Sequence, residues 1–142
     1  MVWTNPSPVE LAADWRAMVL GDPDEKTGCL AQFLSCDFPE SEPDLTWDTT
    51  LLVVRSYNEA DFFAERKTEA QKVCGQLAAG PIEDLLSFHG ERFIEKFEDE
   101  ARQDRRMAWM LGGVWQDQMP DEIWNRVQGA ADRSYWKRKV SD

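Results

Sequence analysis

Histidine is nearly absent from this chain: His89 is the only one. The side chain that most often serves as general base or metal ligand is therefore available at one position alone. Cysteine is sparse as well. Cys29, Cys36 and Cys74 form an odd set without a Cys-x-x-Cys pair. That excludes a disulfide framework and leaves no donor set for structural zinc. No apolar run approaches the ~18 residues of a membrane-spanning helix. The opening Met1-Val2-Trp3-Thr4-Asn5-Pro6 has neither a basic segment nor an apolar core. No secretory signal is expected, and the cytoplasm is the default compartment. Bases are outnumbered: 16 Lys and Arg stand against 27 Asp and Glu, a net charge of −11. That balance argues against binding through nucleic-acid phosphates or to an anionic membrane surface. It leaves basic proteins as partners, or solubility as the sole use of the charge.

What is present suits one helical domain. The chain has 142 residues, 42% of them hydrophobic, and seven tryptophans. Tryptophan serves both as core and as interface anchor. Ser7-Pro8-Val9-Glu10 is a capping box with proline at the first helical position. The helix it opens should run to Leu20 and stop at Gly21, burying Leu11, Trp15, Met18 and Val19. A second start signal, Asp22-Pro23-Asp24-Glu25, should open a short helix through Leu30, Phe33 and Leu34, weakened by Gly28. Cys29 and Cys36, seven apart, should share its buried face.

Asp37 to Asp44 holds two prolines and four acids and reads as a loop. Leu45 to Ser56 is ambiguous. Thr49, Thr50, Val53 and Val54 favour a strand, but no partner strand exists, and an isolated strand is not stable. Helix is the better reading, capped by Ser41 or Asp44. Asn58 starts a further helix carrying Phe62, Phe63, Ala70, Val73, Cys74 and Leu77 to Ala79. Gly80-Pro81 should end it and start the next. That one should be cut short by Gly90, and Glu91 to Gln103 should follow as a separate helix with a Glu98–Arg102 pair. Met107, Met110 and Leu111 add a turn or two before Gly112-Gly113, a sharp exit with close backbone packing. Pro120 opens a last helix with Ile123, Trp124 and Val127. The expectation is an all-α, compact single domain over residues 1–142. It should hold six to eight short helices, compatible with an irregular superhelical stack, and a frayed tail at 137–142.

The candidate chemistry is thin. Ser87 is the nearest nucleophile to His89, but on a helix it faces away. His89 beside Gly90 fits a residue bonding free carbonyls. The acids Glu91, Glu95, Glu98, Asp99 and Glu100 lack the Glu-x-x-His pattern of di-iron sites and read as a solvated face. Gly112-Gly113 lacks the Gly-Lys-Ser of a phosphate loop. Arg102, Arg105 and Arg106 sit among acids and should form an internal salt network. No catalytic residue, metal ligand or cofactor site is assigned.

Charge is uneven. Residues 1–61 hold twelve acids and three bases, and the remainder fifteen acids and thirteen bases. The excess gathers around Asp37, Glu40, Glu42, Asp44 and Asp48, with Phe38 and Trp47 beside them. Acids around exposed aromatics suit a partner rich in lysine and arginine.

Three further stretches form a pattern with Pro43-Asp44-Leu45-x-Trp47. They are Gly80-Pro81-x-Glu83-Asp84-Leu85-Leu86-x-x-His89-Gly90, Leu111-Gly112-Gly113-Val114-Trp115 and Ile123-Trp124-x-Arg126-Val127. The pattern, over roughly residues 43–128, resembles a bacterial helical domain family of unknown function. The resemblance implies helices throughout, with His89, Gly90, Gly112 and Trp115 in the structural frame. It carries no assigned chemistry.

The function expected from these readings is a non-enzymatic acidic protein-binding module, of the immunity or antitoxin type that neutralises a basic bacterial toxin. Asp37, Phe38, Glu40, Glu42, Asp44, Trp47 and Asp48 are the expected contact residues. One alternative is a small enzyme or ligand-binding domain with a pocket around His89, Glu83 and Trp115. Another is a nucleic-acid-mimicking inhibitor.

Overall fold

Helix α1 (Pro8–Leu20) begins as its sequence dictates. The Glu10 N–H donates to Ser7 Oγ at 3.1 Å, and the Ser7 N–H donates back to the Glu10 carboxylate at 3.2 Å. Gly21 closes it with φ 74, a left-handed conformation natural to glycine. The computed structural model describes residues 4–21 and 30–141, and side chains as far as 137. The start signal at Asp22–Glu25, Gly28 and Cys29 lie outside the described residues. Beyond them come α2 (Ala31–Cys36), α3 (Phe38–Ser41), α4 (Pro43–Arg55), α5 (Glu59–Phe63) and α6 (Glu69–Leu77). A π-helical turn (Ala78–Ile82) leads into α7 (Glu83–Gln103), followed by α8 (Arg105–Gly112), α9 (Asp121–Ala130) and α10 (Ser134–Ser141). The all-α expectation is borne out: the described residues contain no strand.

The ambiguous stretch after Leu45 is helix α4. Its β-branched residues face inward, with Thr46, Thr49, Thr50 and Val53 fully buried. The hydroxyls of Thr46 and Thr50 donate to the carbonyls of Glu42 and Thr46, one turn back, at 3.0 and 2.8 Å. Burial thus overrides the strand propensity of these residues. The start of α4 differs from expectation. Neither Ser41 nor Asp44 caps it; Glu42 is the N-cap and makes no side-chain cap bond. Pro43 at the first position has no N–H, which leaves one donor fewer to satisfy in the first turn.

The segment from Phe62 to Ala79 is not one helix. It breaks after Phe63 and restarts at Thr68, which forms a second capping box with Gln71. The Gln71 N–H donates to Thr68 Oγ1 at 3.2 Å, and the Thr68 hydroxyl donates to the Asp61 carbonyl at 2.7 Å. Replacing Thr68 with alanine removes both bonds at a buried site. Thermal denaturation is expected to show a loss of about 1–2 kcal/mol.

Gly80-Pro81, in contrast, does not end a helix. The backbone widens to a π turn there and continues into α7. The wider turn accommodates the missing N–H and the ring of Pro81. The interruption expected at Gly90 is present, in contrast: two helical segments meet at a kink just before it, within Glu83–Gln103. His89 leaves the helical region (φ −133, ψ 32), and a second helical segment continues from Gly90 to Gln103; the two together are labelled α7. At Gly90 a Cβ would lie 3.0 Å from Ile123 Cγ2, so this glycine admits α9 against α7. Glu98 consequently pairs with Arg126 of α9 rather than with Arg102, and Arg102 turns to Asp99.

The long helix α7 is the spine. It packs on α3, α4, α8, α9 and the π turn. Phe93 and Phe97 point from it into the core and are fully buried. Burial of each contributes about 1.5–3 kcal/mol. On the other side α1 packs on α4 and α6, closing the chain on itself rather than continuing as an open stack. The buried Trp15 indole ties α1 to α6 by donating to the Val73 carbonyl at 3.1 Å. Cys74 is buried, and burial pushes its thiol well above its usual range. Cys36 is exposed instead of buried, at the outer end of α2. The tail is helical to Ser141, and its first turn docks. Tyr135 is buried, and the Trp136 indole donates to the Trp109 carbonyl at 2.8 Å.

Candidate functional site

The acidic stretch is helical rather than a loop, and its helices divide it into two faces. Asp37, Glu40, Asp44 and Asp48 are exposed, and Glu42 is partly covered. Phe38 and Trp47 point the other way and are only 3% and 7% exposed. Phe38 stacks on Phe33 with ring centroids 5.4 Å apart. Trp47 meets Phe97 edge-on at 4.8 Å. The expected aromatic anchors are therefore core residues. In short amphipathic helices the large apolar side chains go inward and the acids remain outside. The exposed aromatic on the neighbouring α7 is Phe88, at 52%. Its position beside the bend at His89 is its only sequence signal.

The carboxylates differ in what they hold. Arg92 donates to both oxygens of Asp44 at 2.6 and 2.8 Å. That hydrogen bond holds the Asp44 carboxyl below its usual range. Asp37 accepts from the Ser41 hydroxyl at 3.0 Å. Among the described residues, Asp37, Glu40, Glu42 and Asp48 make no ion pair. The patch is thus a row of solvated anions beside one neutralised pair.

His89 reaches this face from below. Its Nε2 lies 2.7 Å from the Glu40 carbonyl oxygen, which accepts the ring N–H. The contact joins α7 to the C-terminal end of α3, the carbonyl role expected of a histidine next to a glycine. Ser87 Oγ is buried without a partner among the described residues. Glu83 faces elsewhere, and its carboxylate accepts the Trp115 backbone N–H at 2.8 Å. Burial pushes Glu83 and Asp84 up from their usual range, and the like charge of Asp117 adds to both shifts. Trp115 lines a cavity with Gly112, Gly113 and Arg133, and His89 is not part of that wall. Of the three residues of the expected pocket, Glu83 and Trp115 meet, and His89 turns to the Glu40 carbonyl instead.

The arginine cluster behaves as a salt network. Asp104 caps α8 by accepting the Arg106 backbone N–H at 2.9 Å, and the Arg106 guanidinium binds the same carboxylate. Arg106 also donates to the Tyr57 carbonyl at 2.8 Å. Burial works against the Asp104 carboxylate, but the Arg106 bonds outweigh it and hold the group below its usual range. Arg105 reaches Glu59, and Arg55 reaches Glu100. Among the described residues, no group of three or more His, Cys, Asp or Glu side chains could hold a metal ion. No helix among the described residues is long and apolar enough to cross a membrane.

Fold and surface together define an all-α domain with an acidic face on α3 and α4. The chain belongs to the family of unknown function DUF6869, whose model matches residues 35–135. The match extends at both ends beyond the residues 43–128 of the resemblance. No characterised protein and no solved structure matches the chain. Several residues of the sequence pattern have visible structural roles. His89 and Gly90 join α7 to α3 and α9, and Arg126 holds Glu98.

Proposed function

We propose that the protein is a non-enzymatic binding domain whose acidic face on α3 and α4 docks a basic protein. The specific form of the reading is a bacterial, cytoplasmic immunity or antitoxin protein that masks a basic toxin. The observation that supports it is the set of solvated carboxylates Asp37, Glu40 and Asp48, with no cation paired to them among the described residues. A surface of one sign speeds the encounter with a partner of the other. Phe88, rather than Phe38 or Trp47, supplies an exposed aromatic contact on the adjoining helix. Arg92 sits among the acids and interrupts any phosphate-like row, which favours a protein partner over nucleic-acid mimicry.

Basic products of neighbouring genes are the partners to try first, by stopped-flow association at low and high salt. The Asp37→Asn, Glu40→Gln, Asp48→Asn triple variant should bind about tenfold more slowly at low salt, with the difference vanishing at high salt. Equal rates for variant and parent would remove the acidic face from the mechanism.

A further inference from the structure

On a different face, between α8 and the start of α10, lies a cleft of about 440 Å³. Its walls include Gly112, Gly113, Trp115, Arg133, Trp136 and Lys137. Two features set it apart from the rest of this acidic surface. The first is Arg133. Its Nε and Nη2 are buried and have no hydrogen-bond partner among the described residues. A guanidinium cannot escape by losing its proton, so a buried, unmatched one favours an anion. What Arg133 has at present is the face of Trp124, with its Cζ 5.2 Å from the ring centroid. That face attracts the charge but takes up none of the in-plane N–H groups. The second feature is Trp115, which is 71% exposed. Its backbone is fixed through the Trp115 N–H bond to Glu83 at 2.8 Å. An indole left in water on a held backbone is a ready stacking wall.

The geometry points to a binding site for a small aromatic carboxylate, with the carboxylate on Arg133 and the ring against Trp115. The planar fork of a guanidinium matches a carboxylate through two parallel hydrogen bonds, which no neutral ligand reproduces. To engage, the fork turns from the Trp124 face toward the cleft. The opposite wall is rigid, because Gly112 and Gly113 lie too close to Trp136 for a side chain at either position. The volume falls within the ~300–1,000 Å³ range of small-molecule sites, and the wall has their usual makeup of aromatic surface with few polar groups. The net charge of −11 repels anions in general, so an anion that binds does so through the local cations, Arg133 with Lys137 on the same wall. The site is independent of the acidic face.

The test is isothermal titration of the full chain with phenylacetate and indole-3-acetate, with phenylacetamide as the uncharged control. The acids should bind saturably with a Kd of about 1 mM or tighter, and the amide should not. Amide resonances of Gly113 and Trp115 should move with the acids. Arg133→Gln should weaken binding about tenfold or more. Because Arg133 is partly covered, its variant needs an independent companion. Trp115→Ala alters an exposed side chain, should leave the circular dichroism unchanged and should weaken binding several-fold. Asp48→Asn should bind as the parent does. Equal binding of acid and amide overturns the proposal. So does the absence of both heat and resonance shifts, or parent-like affinity in both cleft variants.

Discussion

Replacing Trp109 with alanine should cost about 3–5 kcal/mol, the usual range for deleting a buried large aromatic. Trp109 is fully buried on α8 and is the hub of an aromatic cluster. Phe62 meets it edge-on at 5.2 Å, Tyr135 lies at 5.3 Å and Trp136 at 4.6 Å. Three separate elements, α5, α8 and α10, therefore share one ring. The loss is large against the ~5–15 kcal/mol that holds a typical domain together. Urea denaturation should show a much lower midpoint with little change in slope. Trp109→Phe separates packing from hydrogen bonding. The indole Nε1 is buried with no partner among the described residues, so removing it relieves an unmet donor while keeping much of the ring. The phenylalanine variant should lose less than half as much stability as the alanine one. Similar losses in the two would mean that the five-membered ring carries the packing.

The sequence signals most clearly those elements whose cause is local. The capping box at Ser7 and the left-handed Gly21 bound α1 with no help from the rest of the fold. Helix α4 is accessible by elimination, since its β-branched residues have no partner strand. Elements that depend on distant contacts are not visible. Thr68 restarts a helix inside a run whose apolar spacing looks continuous, and its bond to the Asp61 carbonyl exists only once α5 has ended. Pro81 sits inside a helix because the chain can widen to a π turn, which no spacing announces. Lys137, Arg138 and Lys139 suggest a fraying tail. What docks that tail is Trp136 against Gly112 and Gly113, more than twenty residues earlier.

The candidate site divides along the same line. The acids of the α3–α4 face follow from composition and charge asymmetry. The orientation of its aromatics does not, because α3 has four residues and too short a period to reveal an inner face. Phe38 thus reads as an anchor when it is core; Trp47, on the longer α4, lies on the same buried side as Thr50 and Val54, a spacing the acids around it obscure, and Phe88 does not stand out. Arg133 gives no signal, since an unmatched guanidinium is a fact of packing and not of spacing.

Gly112→Ala tests the docking of α10 directly. An added Cβ would lie 2.3 Å from the Asp132 carbonyl oxygen and 2.6 Å from Trp136 Cδ1. The first neighbour is backbone and has little slack. The Asp132 N–H donates to the Ala108 carbonyl at 2.9 Å, and its carboxylate accepts the Ser134 N–H at 3.0 Å and the Ser134 hydroxyl at 2.7 Å. The methyl group can be admitted only by lifting the Asp132–Trp136 segment from α8. That breaks the Trp136–Trp109 bond and uncovers the ring of Trp109. The expected loss is about 1–3 kcal/mol or more from overpacking. Amide hydrogen exchange should accelerate across Ser134–Ser141 before it does so elsewhere. Gly129 provides the opposite sign. It lies in α9 with nothing within 4 Å of its would-be Cβ, so Gly129→Ala should stabilise by about 0.5–1 kcal/mol through helix propensity alone. The same substitution at two helical glycines, seventeen residues apart, then moves stability in opposite directions. If both gained stability, the close approach of Asp132 and Trp136 to α8 would have to be abandoned, and with it the rigid wall of the cleft.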